Sequence, residues 1–285
     1  MTRRLSSFLG AALVAGWSAI TTLAAPGCSS TGVGNPGLKT EEQALVDDGN
    51  EGNSAGDTAS SIVSIPALAI SAPSELADPA TAAATATFST KFFTGGCATA
   101  DHVAGSAVVT YTFTNCTGAL GLAQLKGQLV ATFTPAPTGG GMRVAITSSG
   151  LTLNGIAVTQ SATATLSFVG AARKIVWDGK YDSFTRKGLP VSHAASYTIE
   201  VDSSCVSLDG SSSTTLGSGA ATRTFTTTIA GYRRCGTRVH CPESGDVTLD
   251  TPKGLKLLVH FEGGPHALVS NLADGRSIDI ALSCE

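Results

Sequence analysis

The chain has 285 residues and a formal net charge of −3, from 18 basic and 21 acidic side chains. This balance lacks the basic excess that binding to a phosphate backbone requires, so it argues against a nucleic-acid partner. Only 6% of the residues are aromatic, while glycine contributes 33 residues, and we therefore expect a thin hydrophobic core.

The first 27 residues have the three parts of a secretory signal. Arg3 and Arg4 precede the apolar run 8–25, and small residues then lead into Cys28. A basic start, an apolar stretch and a small-residue cleavage zone are typical of a segment that is removed from the mature protein. We therefore expect an exported protein in which residues 1–27 are the signal peptide.

Cys28, at the end of this signal, resembles the lipobox cysteine of bacterial lipoproteins. The resemblance implies that Cys28 is lipidated, becomes the new N-terminus and anchors the chain to a membrane. Ser29 then implies the outer membrane, at its periplasmic face or at the cell surface. Ala25 stands where lipoboxes usually have leucine, so cleavage after Ala24 and release of a soluble secreted protein is the alternative.

Residues 28–57 have the composition of a flexible tether. They are rich in Gly, Asn and Ser, and they carry six acidic residues, Glu41, Glu42, Asp47, Asp48, Glu51 and Asp57. Such a segment cannot bury enough apolar surface to offset the entropy lost on ordering. We expect the lipidated cysteine and an acidic tether in this range, followed by a single folded domain over residues 58–285.

One helix is predicted near the start of this domain, over residues 79–93. Asp78 is a suitable N-cap and Pro79 a suitable first helical residue, and a run of alanines follows. Gly95 and Gly96 would end the helix. The threonines within the range make a strand the alternative.

From Cys97 onward the apolar residues alternate with polar ones, as in Val109, Tyr111 and Phe113. This period of two is typical of antiparallel strands with one wet face. The sequence therefore predicts an all-β domain of ten to twelve strands. We expect a large antiparallel meander sheet, curled or doubled into a sandwich, with the helix against its apolar face. Four turns are predicted, at Asn154-Gly155, Asp178-Gly179, Asp209-Gly210 and Asp274-Gly275.

The chain has seven cysteines, an odd number for an exported protein. Lipidation of Cys28 would leave six, enough for three disulfides in an oxidising compartment. Six cysteines allow fifteen connectivities, and pairing of nearest neighbours is the simplest choice. The predicted pairs are Cys97–Cys116, Cys205–Cys235 and Cys241–Cys284. No C-x-x-C pair is present, which argues against structural zinc.

Several short motifs mark strand ends, turns and cysteines: Gly96-Cys97, Val109-x-Tyr111-x-Phe113-x-x-Cys116-Thr117-Gly118, Cys241-Pro242-x-Ser244-Gly245, Gly275-Arg276 and Leu282-x-Cys284. In this arrangement the chain resembles a group of secreted Gram-negative lipoproteins without an established function. The resemblance implies structural roles for these residues and no chemistry.

H-E-x-x-H does not occur, and the one G-x-S-x-G string, residues 52–56, lies in the predicted tether, where no strand-to-helix elbow is expected. We therefore predict no catalytic residues, no metal, no cofactor and no enzymatic activity. His240, His260 and His266 could meet across strands, and Glu262 could join them in an open zinc-like site. The competing interpretation, which we prefer, is that these are imidazoles on the surface or in loops.

Arg233 and Arg234 form a basic cluster with Arg238, beside Tyr232. The cluster could contact lipid headgroups or an acidic polysaccharide. The alternative, which we favour, is that these charges protect an edge strand or a loop from aggregation.

These features together predict a lipid-anchored protein of the cell envelope with a binding or structural role. Its expected partners are the membrane, through the N-terminal lipid, and an envelope protein, a polysaccharide or a lipid. The alternatives are a carrier that holds an apolar ligand in a curved β-sheet and a secreted soluble β protein. A hydrolase or metal enzyme is the least favoured class.

Overall fold

The computed structural model describes residues 65–117, 124–137, 139–185, 188–236 and 241–282. The predicted signal peptide, tether and Cys28 lie outside these residues. Among the helices of the described part, none combines the length and the apolar character needed to span a bilayer.

Thirteen antiparallel strands form a single sheet, and their order in the sheet is their order in the chain. The predicted all-β meander is therefore confirmed, as one sheet rather than a sandwich. The strands are β1 (Ala98–His102), β2 (Val108–Thr117), β3 (Gln124–Pro135), β4 (Gly141–Leu153), β5 (Ile156–Val169), β6 (Ala172–Phe184), β7 (Pro190–Val201), β8 (Cys205–Leu216), β9 (Arg223–Cys235), β10 (Ser244–Asp250), β11 (Lys256–Phe261), β12 (His266–Asn271) and β13 (Ser277–Ala281).

The helical segments of the described chain are short. The α-helices are α1 (Ile65–Leu68) and α2 (Pro79–Ala86), and four 3₁₀ turns cover Pro73–Leu76, Thr87–Phe92, Thr94–Gly96 and Gly219–Ala221. The side chain of Asp78 accepts a hydrogen bond from the backbone N–H of Thr81 at 2.9 Å, as expected of an N-cap. Three fully buried alanines of α2, Ala82, Ala83 and Ala86, lie on the side that belongs to the core.

The predicted helix over 79–93 is therefore present but shorter in its α-helical part. Beyond Ala86 the backbone tightens into the 3₁₀ turn Thr87–Phe92, a stretch of threonine, serine and aromatic residues with low helix propensity. The hydroxyl of Tyr111 on β2 donates to the carbonyl oxygen of Ala86 at 2.8 Å. This contact provides a partner for a carbonyl at the end of α2 and joins the helix to the sheet.

The two faces of the sheet differ in composition. The inner face carries the buried side chains, which form one continuous core extending from Ile65 to Val269. The outer face is exposed and carries mainly threonine, serine and charged residues. Because side chains alternate between the faces of a strand, the sequence assigns nearly every position to one face or the other.

Two of the four predicted turns are confirmed. Asn154 and Gly155 both have positive φ, at 51° and 80°, and they join β4 to β5 in the two-residue hairpin loop that such a pair favours. Asp274 and Gly275 lie between β12 and β13.

The other two turn predictions are wrong, because Gly179 lies within β6 and Gly210 within β8. A Cβ on Gly179 would be 2.2 Å from Cζ2 of Trp177, so the indole ring lies over this glycine. Gly210 has a φ of 143°, and its Cβ would lie 2.2 Å from the carbonyl oxygen of Ser196. Both glycines thus serve close packing within strands rather than chain reversal.

The buried Arg173 of β6 joins the N-terminal segment to the sheet. Its Nη1 donates to the carbonyl oxygens of Ala67 and Ile70. Burial lowers the pKa of the guanidinium to about 10, and the nearby Glu75 acts in the opposite direction. The side chain still carries its charge at neutral pH, so it remains a strong donor to these two carbonyl groups.

Candidate functional site

The outer face of the central strands contains an open trough of about 690 Å³, which we call the outer trough. It crosses β4 to β9 on two adjacent rows of side chains. The outward-facing residues that line it are Ala145, Thr147, Ser161, Thr163, Asp178, Lys180, Ala194, Ser196, Ser211, Ser213 and Thr226.

The strand registers explain the two rows. In one row Thr163 lies opposite Asp178, and Asp178 opposite Ser196. In the other, Ser161 lies opposite Lys180, and Lys180 opposite Ala194. Because almost all of the side chains in both rows are short, the trough opens along the row direction, across the strands.

Hydroxyl groups are the dominant chemistry of the outer trough. A hydroxyl both donates and accepts hydrogen bonds, and neighbouring strands repeat these groups at a spacing of about 4.8 Å. Asp178 and Lys180 add one charge of each sign, so the lining has no net charge. Such a surface can form hydrogen bonds with successive polar groups of an extended, uncharged molecule lying across the strands.

The inner face behind these strands carries a second polar feature, which we call the inner polar row. It consists of Gln160, Tyr181, His193 and Thr214, which lie opposite one another in consecutive strands β5 to β8. All four side chains belong to the inner face, and His193 and Thr214 are almost completely buried. The row interrupts an otherwise apolar surface.

His193 is the most perturbed titratable group of this row. Its Nδ1 lies 2.8 Å from the hydroxyl oxygen of Thr214, while its Nε2 is buried without a hydrogen-bond partner among the described residues. Burial lowers the pKa of the imidazole from its usual value of 6.5 to about 4. His193 is therefore neutral at physiological pH.

Ser212 lies beside this row on the inner face of β8. Its hydroxyl oxygen is also buried without a partner in the described part of the chain. An unpaired buried polar atom costs about 1–3 kcal/mol, and proteins leave few of them. His193 and Ser212 therefore place two such atoms inside the core of the central strands.

Both described disulfide pairings were predicted from the sequence. Cys97 is bonded to Cys116 and Cys205 to Cys235. Cys241 is also disulfide-bonded, but the predicted pairing with Cys284 lies outside the described residues. Disulfides of this kind indicate an oxidising compartment, as in exported proteins.

One disulfide lies against a carboxylate. The Sγ atoms of Cys205 and Cys235 and a carboxylate oxygen of Glu243 lie within 4.8 Å of one another. The two sulfur atoms are bonded to each other, so this group offers no thiolate ligand to a metal ion.

Two of the three histidines that were considered as metal ligands, His260 and His266, lie on the outer face of the C-terminal strands. His260 contacts Asp246 and Glu262, and His266 contacts Asp279. His240 lies outside the described residues. The carboxylate partners Asp246 and Asp279 were not expected from the sequence, because the register that pairs their strands was unknown.

The basic cluster is partly neutralised. Arg233 lies 3.9 Å from Asp202 and 4.0 Å from Glu243. It belongs to β9, which pairs with both β8 and β10, so the expectation of an edge strand is wrong here. Arg238 lies outside the described residues.

Comparisons of this chain with protein families, with characterised proteins and with solved structures give no significant match. The inner polar row was not predicted from the sequence. His193 alternates with Val191 and Ala195 in β7, and this pattern could have indicated a buried histidine.

Proposed function

We propose that the protein is a lipid-anchored, non-catalytic binding protein of the cell envelope. In this proposal Cys28 carries the lipid, residues 29–57 hold the domain away from the membrane, and the outer trough binds the partner. The observation that carries the binding role is the trough, because seven of its eleven outward-facing side chains are hydroxyls, spread over strands β4 to β9 except β6.

The best-matched partner is an uncharged, hydroxyl-rich polysaccharide. The trough has no net charge, so it does not favour a strongly acidic or basic polymer. Its donors and acceptors repeat from strand to strand, which suits a polymer with repeating polar groups. The disulfides support an exported location, where such polymers are found.

Filling the trough tests the binding role. Ala194→Trp places a large ring on the trough floor, at an exposed position where the fold has room for it. We expect retention on immobilised envelope polysaccharide to fall at least tenfold for this variant. Thr159→Trp is the matched control, since Thr159 is exposed on the outer face of β5 but does not line the trough. Equal retention of both variants would contradict the proposal.

The anchor is tested by the intact mass of the protein from the membrane fraction. We expect the mass of a chain that begins at Cys28 and carries acyl groups. After reduction, alkylation should add the mass of six modified thiols. A mass that begins near Ala25, with one free thiol, would favour the soluble secreted alternative.

A second candidate function is transport or storage of an amphipathic ligand on the inner face. It is favoured by His193 and Ser212, which place unpaired polar atoms within an apolar surface. Binding of a hydrophobic dye that is displaced by lipid extract tests this role. His193→Leu should weaken dye displacement by ligands with polar headgroups, and absence of dye binding by the wild-type protein would exclude the carrier.

A further inference from the structure

Five ionisable side chains come together on the outer face of the last four strands. We call them the His–carboxylate cluster: Asp246, His260, Glu262, His266 and Asp279. His260 lies opposite Asp246 on one side and Leu268 on the other. Residues two apart in a strand share a face, which places Glu262 and His266 on the same face as His260.

The β11–β12 hairpin brings Glu262 and His266 together. Phe261 is registered with Ala267 as the last pair of the ladder, so Glu262 and His266 are the next residues on either side, at the loop end of the hairpin. His260 is the diagonal neighbour of His266, and diagonal neighbours across antiparallel strands are about 7–8 Å apart, within reach of long side chains. Two imidazoles and a carboxylate therefore occupy neighbouring positions on the outer face.

Both imidazoles are held in the same way. Nδ1 of His260 lies 2.5 Å from Oδ1 of Asp246, and Nδ1 of His266 lies 2.8 Å from Oδ1 of Asp279. An ionised carboxylate can only accept, so Nδ1 of each ring is the donor, and a ring in its neutral form then has its lone pair on Nε2. A carboxylate on one ring nitrogen and a free lone pair on the other is the arrangement found around metal-bound histidines.

Glu262 lies next to the second ring nitrogen of His260. Its Oε1 is 3.5 Å from Nε2 of His260. The side chains of His260, Glu262 and His266 are 40%, 76% and 60% exposed, so each can change rotamer without disturbing the core. The three donor atoms are not all within 4.8 Å of one another, and metal binding therefore requires such a rotation.

We propose that His260, Glu262 and His266 bind a divalent transition-metal ion, with Asp246 and Asp279 as positioning residues. Two imidazoles and one carboxylate suit Zn²⁺, Cu²⁺ and Ni²⁺ better than Mg²⁺ or Ca²⁺, which prefer oxygen ligands alone. Zn²⁺ is the best match, because three protein ligands and water complete its tetrahedral shell. The site does not depend on the outer trough or on lipidation.

Calorimetric titration of the mature, metal-free protein with Zn²⁺ tests the proposal. We expect one Zn²⁺ per chain, and at least tenfold weaker binding for His260→Gln and for His266→Gln. Asp246→Asn and Asp279→Asn leave all three ligands in place and should weaken binding 10–100-fold, the usual effect of such partners. His102→Gln is the matched control, since His102 lies on β1 and contacts the carbonyl oxygen of Ser106.

Two results would overturn the proposal. One is the absence of saturable Zn²⁺ binding by the wild-type protein. The other is binding that persists unchanged in the double variant His260→Gln/His266→Gln. Substitution by Co²⁺ identifies the ligands independently, because nitrogen and oxygen ligands give d–d bands without the intense thiolate charge-transfer band, and that band would assign the metal to cysteine. Circular dichroism verifies that each variant is folded.

Discussion

The central strands β3–β9 and the C-terminal strands β10–β13 differ in length, in pairing and in the side chains of their outer face. The central strands are 12–14 residues long, and each is paired on both sides. The C-terminal strands have only 5–7 residues and end at β13, which is paired on one side. The outer face of the first group is lined mostly with hydroxyls, whereas that of the second carries paired charges.

The difference shows where a sheet can leave its surface available for binding. Long ladders supply enough backbone hydrogen bonds and core contacts that the outer side chains need not contribute to stability. Near the end of the sheet the ladders are short, and cross-strand pairs such as His260–Asp246 add modest local attraction. Charged side chains there also discourage pairing with the edge of another sheet.

The largest effect is expected within the central strands, at the end of β9 that precedes the C-terminal strands. Cys205→Ser/Cys235→Ser removes a bond that closes a separation of 30 residues between β8 and β9. We expect a loss of roughly 3–4 kcal/mol in the free energy of unfolding on the chain-entropy model, measured by urea denaturation. Unchanged stability in the double variant would show that the β8–β9 ladder alone holds this end of the central strands.

The pH dependence of His193 tests the interior of the central strands. Between pH 6.5 and about 4 the unfolded chain binds a proton that the native imidazole does not. Stability is therefore lost as the pH falls through this window, by up to roughly 3 kcal/mol. His193→Gln should flatten this part of the stability profile in urea titrations, and a slope equal to that of the wild-type protein would contradict this role of His193.

A smaller effect is expected from Gly179→Ala. The new methyl group would overlap the ring of Trp177, and overpacking of this kind costs typically 1–3 kcal/mol. Thermal unfolding of Gly179→Ala with and without Trp177→Leu forms a double-mutant cycle. Additive effects of the two substitutions would mean that the glycine is not needed to seat the indole ring.

The smallest effect is expected among the surface pairs of the C-terminal strands. Lys256 lies 3.2 Å from Asp250, and both side chains are more than 40% exposed. Solvent screens such a pair, so Lys256→Gln should change the free energy of unfolding by less than about 0.5 kcal/mol. A loss above 1 kcal/mol in the free energy of unfolding, measured by urea denaturation, would show that this exposed ion pair stabilises the C-terminal strands more than solvent screening allows.

Alternation of side chains was sufficient to predict the sheet, since positions such as Val109, Tyr111 and Phe113 can face a core only in a strand. Local turn signals were less reliable. Asn154-Gly155 forms a turn because both residues adopt the positive φ that a two-residue hairpin loop requires. Asp178-Gly179 has a similar local composition, but the indole of Trp177 needs the space above Gly179, and that contact cannot be read from neighbouring residues.

The candidate sites were predictable only in part. The threonine-rich outer face was evident, but the outer trough depends on which short side chains align across six strands. The approach of His260 to His266 was a recognised possibility. Their orientation by Asp246 and Asp279 depends on the register of three hairpins, and a slip of one residue would turn each side chain to the other face.

The linear strand order has a consequence for how the chain acquires its structure. Every strand pairs with its neighbour in sequence, so each ladder closes only a short loop, and the entropy lost in closing it stays small. Local topology of this kind favours rapid folding. A chain that emerges from a membrane N-terminus first can therefore add one hairpin after another to a growing edge, without waiting for its last residues.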